Sequence, residues 1–179
     1  MVEKNQILDF MPLGMKFTVL QTSADTDGKS LDLHWDVYPG CNMKDPLIHV
    51  HPHAIETYEI LEGDMEFFIK DKWIKAKKGD NLTIPIGVAH TFRNPTDKIA
   101  KVFNTHQPAL KMGEYFEDVS KVLDIVTENK QKGFKMNLKT MLYMGVLMGR
   151  YRNDIIAKSP PDFAIKILGF VAKLVGVKY

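Results

Sequence analysis

Hydrophobic and polar residues alternate one by one through the first part of the chain, and then the step changes. Leu31, Leu33, Trp35 and Val37 alternate with Asp32, His34, Asp36 and Tyr38, and Met65, Phe67 and Ile69 alternate with Glu66, Phe68 and Lys70. A period of two places every second side chain on one face, so these segments predict half-buried strands. Turn dipeptides punctuate them: Asp27-Gly28, Pro39-Gly40, Gly63-Asp64, Asp71-Lys72, Gly79-Asp80 and Asn94-Pro95. Short strands with turns at that spacing predict an antiparallel sandwich or barrel over about residues 15–106. The run Asp25-Thr26-Asp27-Gly28 reads as one more turn, because no glutamate follows where a calcium loop would need it.

After Pro108 the period lengthens. Met112, Tyr115, Phe116, Val119, Val122, Leu123 and Val126 recur at helical spacing. Met141, Met144 and Met148 do so again, and Phe163, Ile167, Phe170, Val171 and Leu174 a third time, with Pro160-Pro161 separating the last two helices. The expected organisation is mainly β: a barrel domain over residues 1–107, then a helical extension of about three helices over 108–179 that packs on the barrel or on a partner subunit. In the last helix Asp162, Lys166, Gly169, Lys173 and Gly176 share one narrow face and the rest is apolar. Such a helix suits docking on the barrel or a second subunit, or lying on an anionic membrane surface. Docking is favoured, since two glycines permit close approach.

Composition adds two points. The net charge of +2 is unevenly placed: residues 1–107 carry 12 Lys/Arg against 15 Asp/Glu, whereas residues 131–179 carry 9 against 2. No nucleic-acid-binding motif accompanies the basic residues, so no nucleic-acid partner is expected. Cys41 is the single cysteine, so no intramolecular disulfide can form. With no leader-like start and no apolar run near bilayer length, the chain reads as cytoplasmic.

The candidate chemistry lies in His49-Val50-His51-Pro52-His53-Ala54-Ile55-Glu56. His49 and His51 share a strand face, so both imidazoles can reach one ion. His53 has the same parity but lies beyond Pro52, and Glu56 joins only if the chain bends there. From this spacing alone a metal site and a polar surface strand both stay open.

A second segment changes the balance. Gly79, Pro85, Gly87, His90 and Asn94 follow His49, His51, Glu56 and Gly63 at spacings that closely resemble the two motifs of the cupin superfamily. The spacer of 15 residues between them suits compact members, and the resemblance covers about residues 30–106. One position departs: Met43 stands where the motif has a glycine, with Gly40 three residues earlier.

The resemblance implies a small jelly-roll barrel holding one divalent transition metal (iron, manganese, nickel, zinc or copper) through His49, His51, Glu56 and His90. It implies a metal-dependent, dioxygenase-like oxidoreductase for a small organic substrate. In that reading Glu56 is a ligand that can also accept a proton, and Tyr58 is an auxiliary hydrogen-bond donor. The alternative is a non-catalytic binding or sensing module whose metal anchors its ligand. His53 is expected at the barrel mouth and His34 facing solvent; His106, after the last strand, is expected at the surface, with a role behind the ligands or at the rim as the alternative. Tyr58, Met65, Phe67, Phe92 and Phe103 are expected to line the barrel, and Cys41 to be inert. A homodimer is expected, because cupin barrels commonly pair and because Phe68 and the 163–175 helix offer apolar surface.

Overall fold

The computed structural model describes residues 1–44, 46–129, 133–158 and 161–177. In chain order it forms β1 (Ile7–Phe10), a 3-10 turn (Met11–Leu13), β2 (Met15–Gln21), β3 (Leu31–Val37), β4 (His49–Val50), β5 (Ile55–Glu62), β6 (Asp64–Ile69), β7 (Lys72–Lys77), β8 (Asn81–Ile84), β9 (His90–Arg93) and β10 (Ala100–Gln107). Then come α1 (Met112–Val126), α2 (Leu138–Arg150), β11 (Ile156–Ala157) and α3 (Asp162–Leu174). The strands make two antiparallel sheets, ordered β1-β2-β3-β10-β5-β8 and β11-β4-β9-β6-β7. β1 precedes the expected strand region and β11 follows it by some fifty residues, so both ends of the chain enter the sheets.

The alternation decides which faces meet. Leu31, Leu33, Trp35 and Val37 are buried on β3, while the residues between them are half-exposed. Trp35 lies against Phe92 of the opposite sheet at 5.2 Å between ring centres, and Tyr58 against Phe67 at 4.8 Å. Tyr58, Met65, Phe67 and Phe92 are thus interior, but Phe103 is not. The inward face of β10 is Ala100, Val102, Asn104 and His106, which turns Phe103 to the half-buried outer face. Phe68 is not left bare either. Trp73 packs on it at 5.4 Å, and the Arg93 guanidinium covers Trp73 at 3.9 Å.

α1 buries Met112, Tyr115, Phe116, Val119, Val122 and Leu123. Phe116 meets Phe17 of β2 edge-on at 5.3 Å, so this helix closes on the sheet and shares its core. Each such side chain contributes about 2 kcal/mol when fully buried. Asp118 ties α1 to the end of α2: its carboxylate accepts from Tyr151 Oη at 2.6 Å and from Arg150 at 2.7 Å. Asn137 caps α2 by accepting from the Thr140 N–H at 3.0 Å.

The last two helices differ from their apolar patterns. Met148 is buried, but Met141 is exposed and Met144 only partly buried, while Gly145 and Leu147 complete the buried seam of α2. α3 packs on α2 through Gly169, Ile165 and Ala172, leaving Phe163, Ile167, Phe170 and Leu174 57–71% exposed. The cause is the pairing of Gly145 with Gly169, where backbone meets backbone and the bulky face of α3 is turned outward. Gly176 takes no part, lying past the helix end at φ 75°. Pro161 precedes α3, and Pro160 and the Asp162 side chain lie outside the described residues. No described helix is long and apolar enough to cross a membrane.

Candidate metal centre

The bend expected at Pro52 is present: β4 ends at Val50, residues 52–53 turn, and β5 starts at Ile55. This turn lets Glu56, of opposite parity, swing to the side of His49 and His51. β9 pairs with β4 so that His90 stands opposite His49. Gly87, at φ 73°, makes the turn before His90, and its N–H donates to the His51 carbonyl at 2.9 Å. The second segment is thereby pinned to the first.

One donor atom from each of His49, His51, Glu56 and His90 lies within 4.8 Å of the others. In all three imidazoles Nδ1 faces a backbone carbonyl: Leu47 at 3.1 Å, Asp154 at 2.7 Å and Val88 at 2.9 Å. A carbonyl only accepts, so each Nδ1 carries the proton and each Nε2 keeps its lone pair for the centre. His90 Nε2 lies 2.7 Å from Glu56 Oε2. His51 Nε2 is buried at 3.2 Å from the same oxygen, without a hydrogen bond. A buried, unsatisfied nitrogen among three preset lone pairs and a carboxylate fits a divalent first-row metal.

Glu56 is held from its other side. Its Oε1 accepts from Asn104 Nδ2 at 2.9 Å and lies 3.2 Å from His106 Nε2. Burial alone would raise the Glu56 pKa, but the imidazoles around it, His106 foremost, hold it well below the ordinary value. Burial, reinforced by the neighbouring charges of His90 and His51, keeps His49 well below the usual imidazole range and therefore neutral, as a ligand must be. Tyr58, two residues past Glu56, is fully interior, and its hydroxyl meets no hydrogen-bond partner. Burial and the negative charge of Glu56 push its pKa well above the ordinary value, so the phenol stays protonated.

His106 corrects the expectation of a surface histidine. It is 1% exposed and lies inside β10, because the alternation of Ala100, Val102 and Asn104 continues through it. That alternation was the available signal. For Asp154 no local signal exists, since it stands 103 residues from His51. It serves twice: its backbone carbonyl fixes the His51 ring, and its carboxylate accepts from the Lys111 N–H at 2.7 Å, just ahead of α1. β11, two residues later, pairs with β4 at the sheet edge. His53 is exposed, and replacing it by alanine is expected to leave metal content unchanged by elemental analysis. A site emptied by that change would show that the chain runs differently through the bend. Cys41 is buried, and burial pushes its thiol up to about 12, so it is inert as expected.

His49, His51, Glu56 and His106 lie on the wall of a cavity of about 140 Å³. Trp35, Tyr58 and Phe92 of the sheets line it, and α1 supplies Phe116, Val119 and Leu123.

Two antiparallel sheets around a buried three-histidine, one-carboxylate cluster define a jelly-roll protein with a candidate mononuclear metal centre. The cupin domain family model matches residues 33–106, and this part of the chain is a cupin domain. An RmlC-like cupin from Shewanella frigidimarina is 18% identical, with a TM-score of 0.52 over 62% of this chain and 89% of that one. An uncharacterized conserved protein with a double-stranded beta-helix domain from Klebsiella pneumoniae is 21% identical, with a TM-score of 0.45 over 52% of this chain and 71% of that one. A predicted oxalate decarboxylase from Thermotoga maritima is 21% identical, with a TM-score of 0.48 over 52% of this chain and 80% of that one. Likeness at this level concerns the fold alone. No curated protein matches the chain.

Proposed function

We propose that the protein is a metal-dependent, dioxygenase-like oxidoreductase for a small organic substrate, with His49, His51, Glu56 and His90 as the metal ligands. The observation that carries this reading is that three of the four donors, His49, His51 and Glu56, line the cavity, so a molecule in the cavity reaches the centre directly. A bound first-row metal supplies Lewis acidity and a site for dioxygen chemistry. The chain's own residues do the rest. Asn104 and His106 hold Glu56 Oε1, which leaves Oε2 toward the histidines. Tyr58 keeps its proton and can donate a hydrogen bond to a substrate oxygen. The surrounding aromatic residues give the cavity a largely apolar wall. The test is elemental analysis of the purified protein, then oxygen consumption with candidate substrates. One metal ion per chain and substrate-dependent uptake are expected. A full metal complement with no turnover of any bound ligand would favour the non-catalytic binding module.

A second copy of the chain is the proposed cover for the exposed face of α3. Phe163, Ile167, Phe170 and Leu174 line that face, and closed two-fold pairs are the commonest soluble arrangement. Light scattering is expected to show a dimer that the Ile167→Lys and Phe170→Lys double variant converts to a monomer. A monomeric native protein rules the pairing out.

A further inference from the structure

The chemistry of the cavity narrows the substrate. Among the described residues lining it there is no lysine or arginine, and Glu56 is the one charged side chain. A phosphate or dicarboxylate would find no lysine or arginine there, so any negative charge beyond what a bound metal ion meets would be buried unpaired, which costs several kcal/mol or more. A sugar fares little better, because each unpaired buried hydroxyl costs about 1–3 kcal/mol. What the walls do offer is apolar and aromatic surface from Trp35, Phe116, Val119, Leu123 and Met144. Polar side chains on the lining are few: the metal-centre residues with His106, then Tyr58, Tyr115 and Asn42. The volume of about 140 Å³ is close to the roughly 150 Å³ of an engineered apolar cavity in another protein that takes up benzene.

We propose that the cavity binds a neutral, largely apolar molecule about the size of one substituted aromatic ring, carrying a single oxygen donor that turns to the metal centre. This rests on the metal-centre reading for the position of the polar head and on the cavity walls for the rest. The walls that select the ring are largely the chain's own addition. Phe116, Val119, Leu123 and Met144 all lie beyond residue 106, where the cupin match ends. The helical extension therefore sets specificity, and the cupin segment supplies the reactive end.

The experiment is calorimetric titration of the full-length, metal-loaded protein with 4-ethylphenol and, separately, with glucose 6-phosphate. Saturable binding of 4-ethylphenol is expected, with none of glucose 6-phosphate. Val119→Phe and Met144→Trp fill the cavity from two different helices, and each is expected to weaken 4-ethylphenol about tenfold or more. Metal content should stay at the native value in both. Absence of 4-ethylphenol binding to metal-replete native protein overturns the substrate class and leaves the metal centre standing. So does equal or tighter binding of glucose 6-phosphate in competition. Unchanged 4-ethylphenol affinity in two folded variants overturns the placement in this cavity. Variant-sensitive binding to protein that carries no metal supports the cavity and removes the metal-centre reading instead.

Discussion

Alanine at His51 or at His90 is expected to reduce the metal content of the purified protein from one ion per chain to near none. Each imidazole presents an Nε2 whose lone pair is fixed by a carbonyl on its far nitrogen, Asp154 for His51 and Val88 for His90. Removing the ring removes a bond and leaves Glu56 short of a partner in a buried site. Glu56→Ala should empty the site as thoroughly. Asn104→Ala and His106→Ala act more gently, because they release Glu56 Oε1 and spare the four donors. Loss of such supporting contacts typically costs about 10–100-fold in metal affinity. Mass spectrometric metal analysis after dialysis against a weak chelator separates the two classes. Native metal content in both His51→Ala and His90→Ala would end the assignment.

Gly145→Val should bring the largest loss of stability. A Cβ at Gly145 would sit 2.7 Å from Leu168 Cβ and 2.8 Å from the Gly169 nitrogen. Two of the three nearest atoms are backbone, so no side-chain rotation relieves the contact and α3 must move off α2. Overpacking of this kind costs about 3 kcal/mol. For a chain of this length that lowers Tm by roughly 10 °C. Gly149→Ala is the matched comparison, on the same helix with open space around it, and should hold or slightly raise Tm. Thermal melts of the two variants that coincide would show that the glycine seam is not a close contact.

Periodicity carried the strands and the existence of three helices, because alternation and the 3.6-residue repeat follow directly from which face is buried. It did not carry partners. α3 shows this most clearly: Phe163, Ile167, Phe170 and Leu174 made a convincing buried face, yet Gly169 decided the packing through a backbone contact that hydrophobicity does not register. At the site, local spacing brought His49 and His51 together, and the motif resemblance brought Glu56 and His90 to them. His106 was misplaced because its strand was ended too soon, although the inward positions before it were in view. Asp154 was beyond reach, since a contact through its backbone carbonyl depends on topology and not on its side chain.

The Asp154 contact also sets a timetable for biosynthesis. The carbonyl that orients His51 is added 103 residues after that histidine, and β11, which borders β4, follows just behind it. At about 5–20 residues per second, the ribosome makes His51 roughly 5–20 s before its partner. Through that interval the nascent chain holds His49, His51 and Glu56 without the edge strand that frames them. Fixing of the His51 ring therefore waits for residue 154, and a product broken off before it would leave the ribosome without the contact that orients this imidazole.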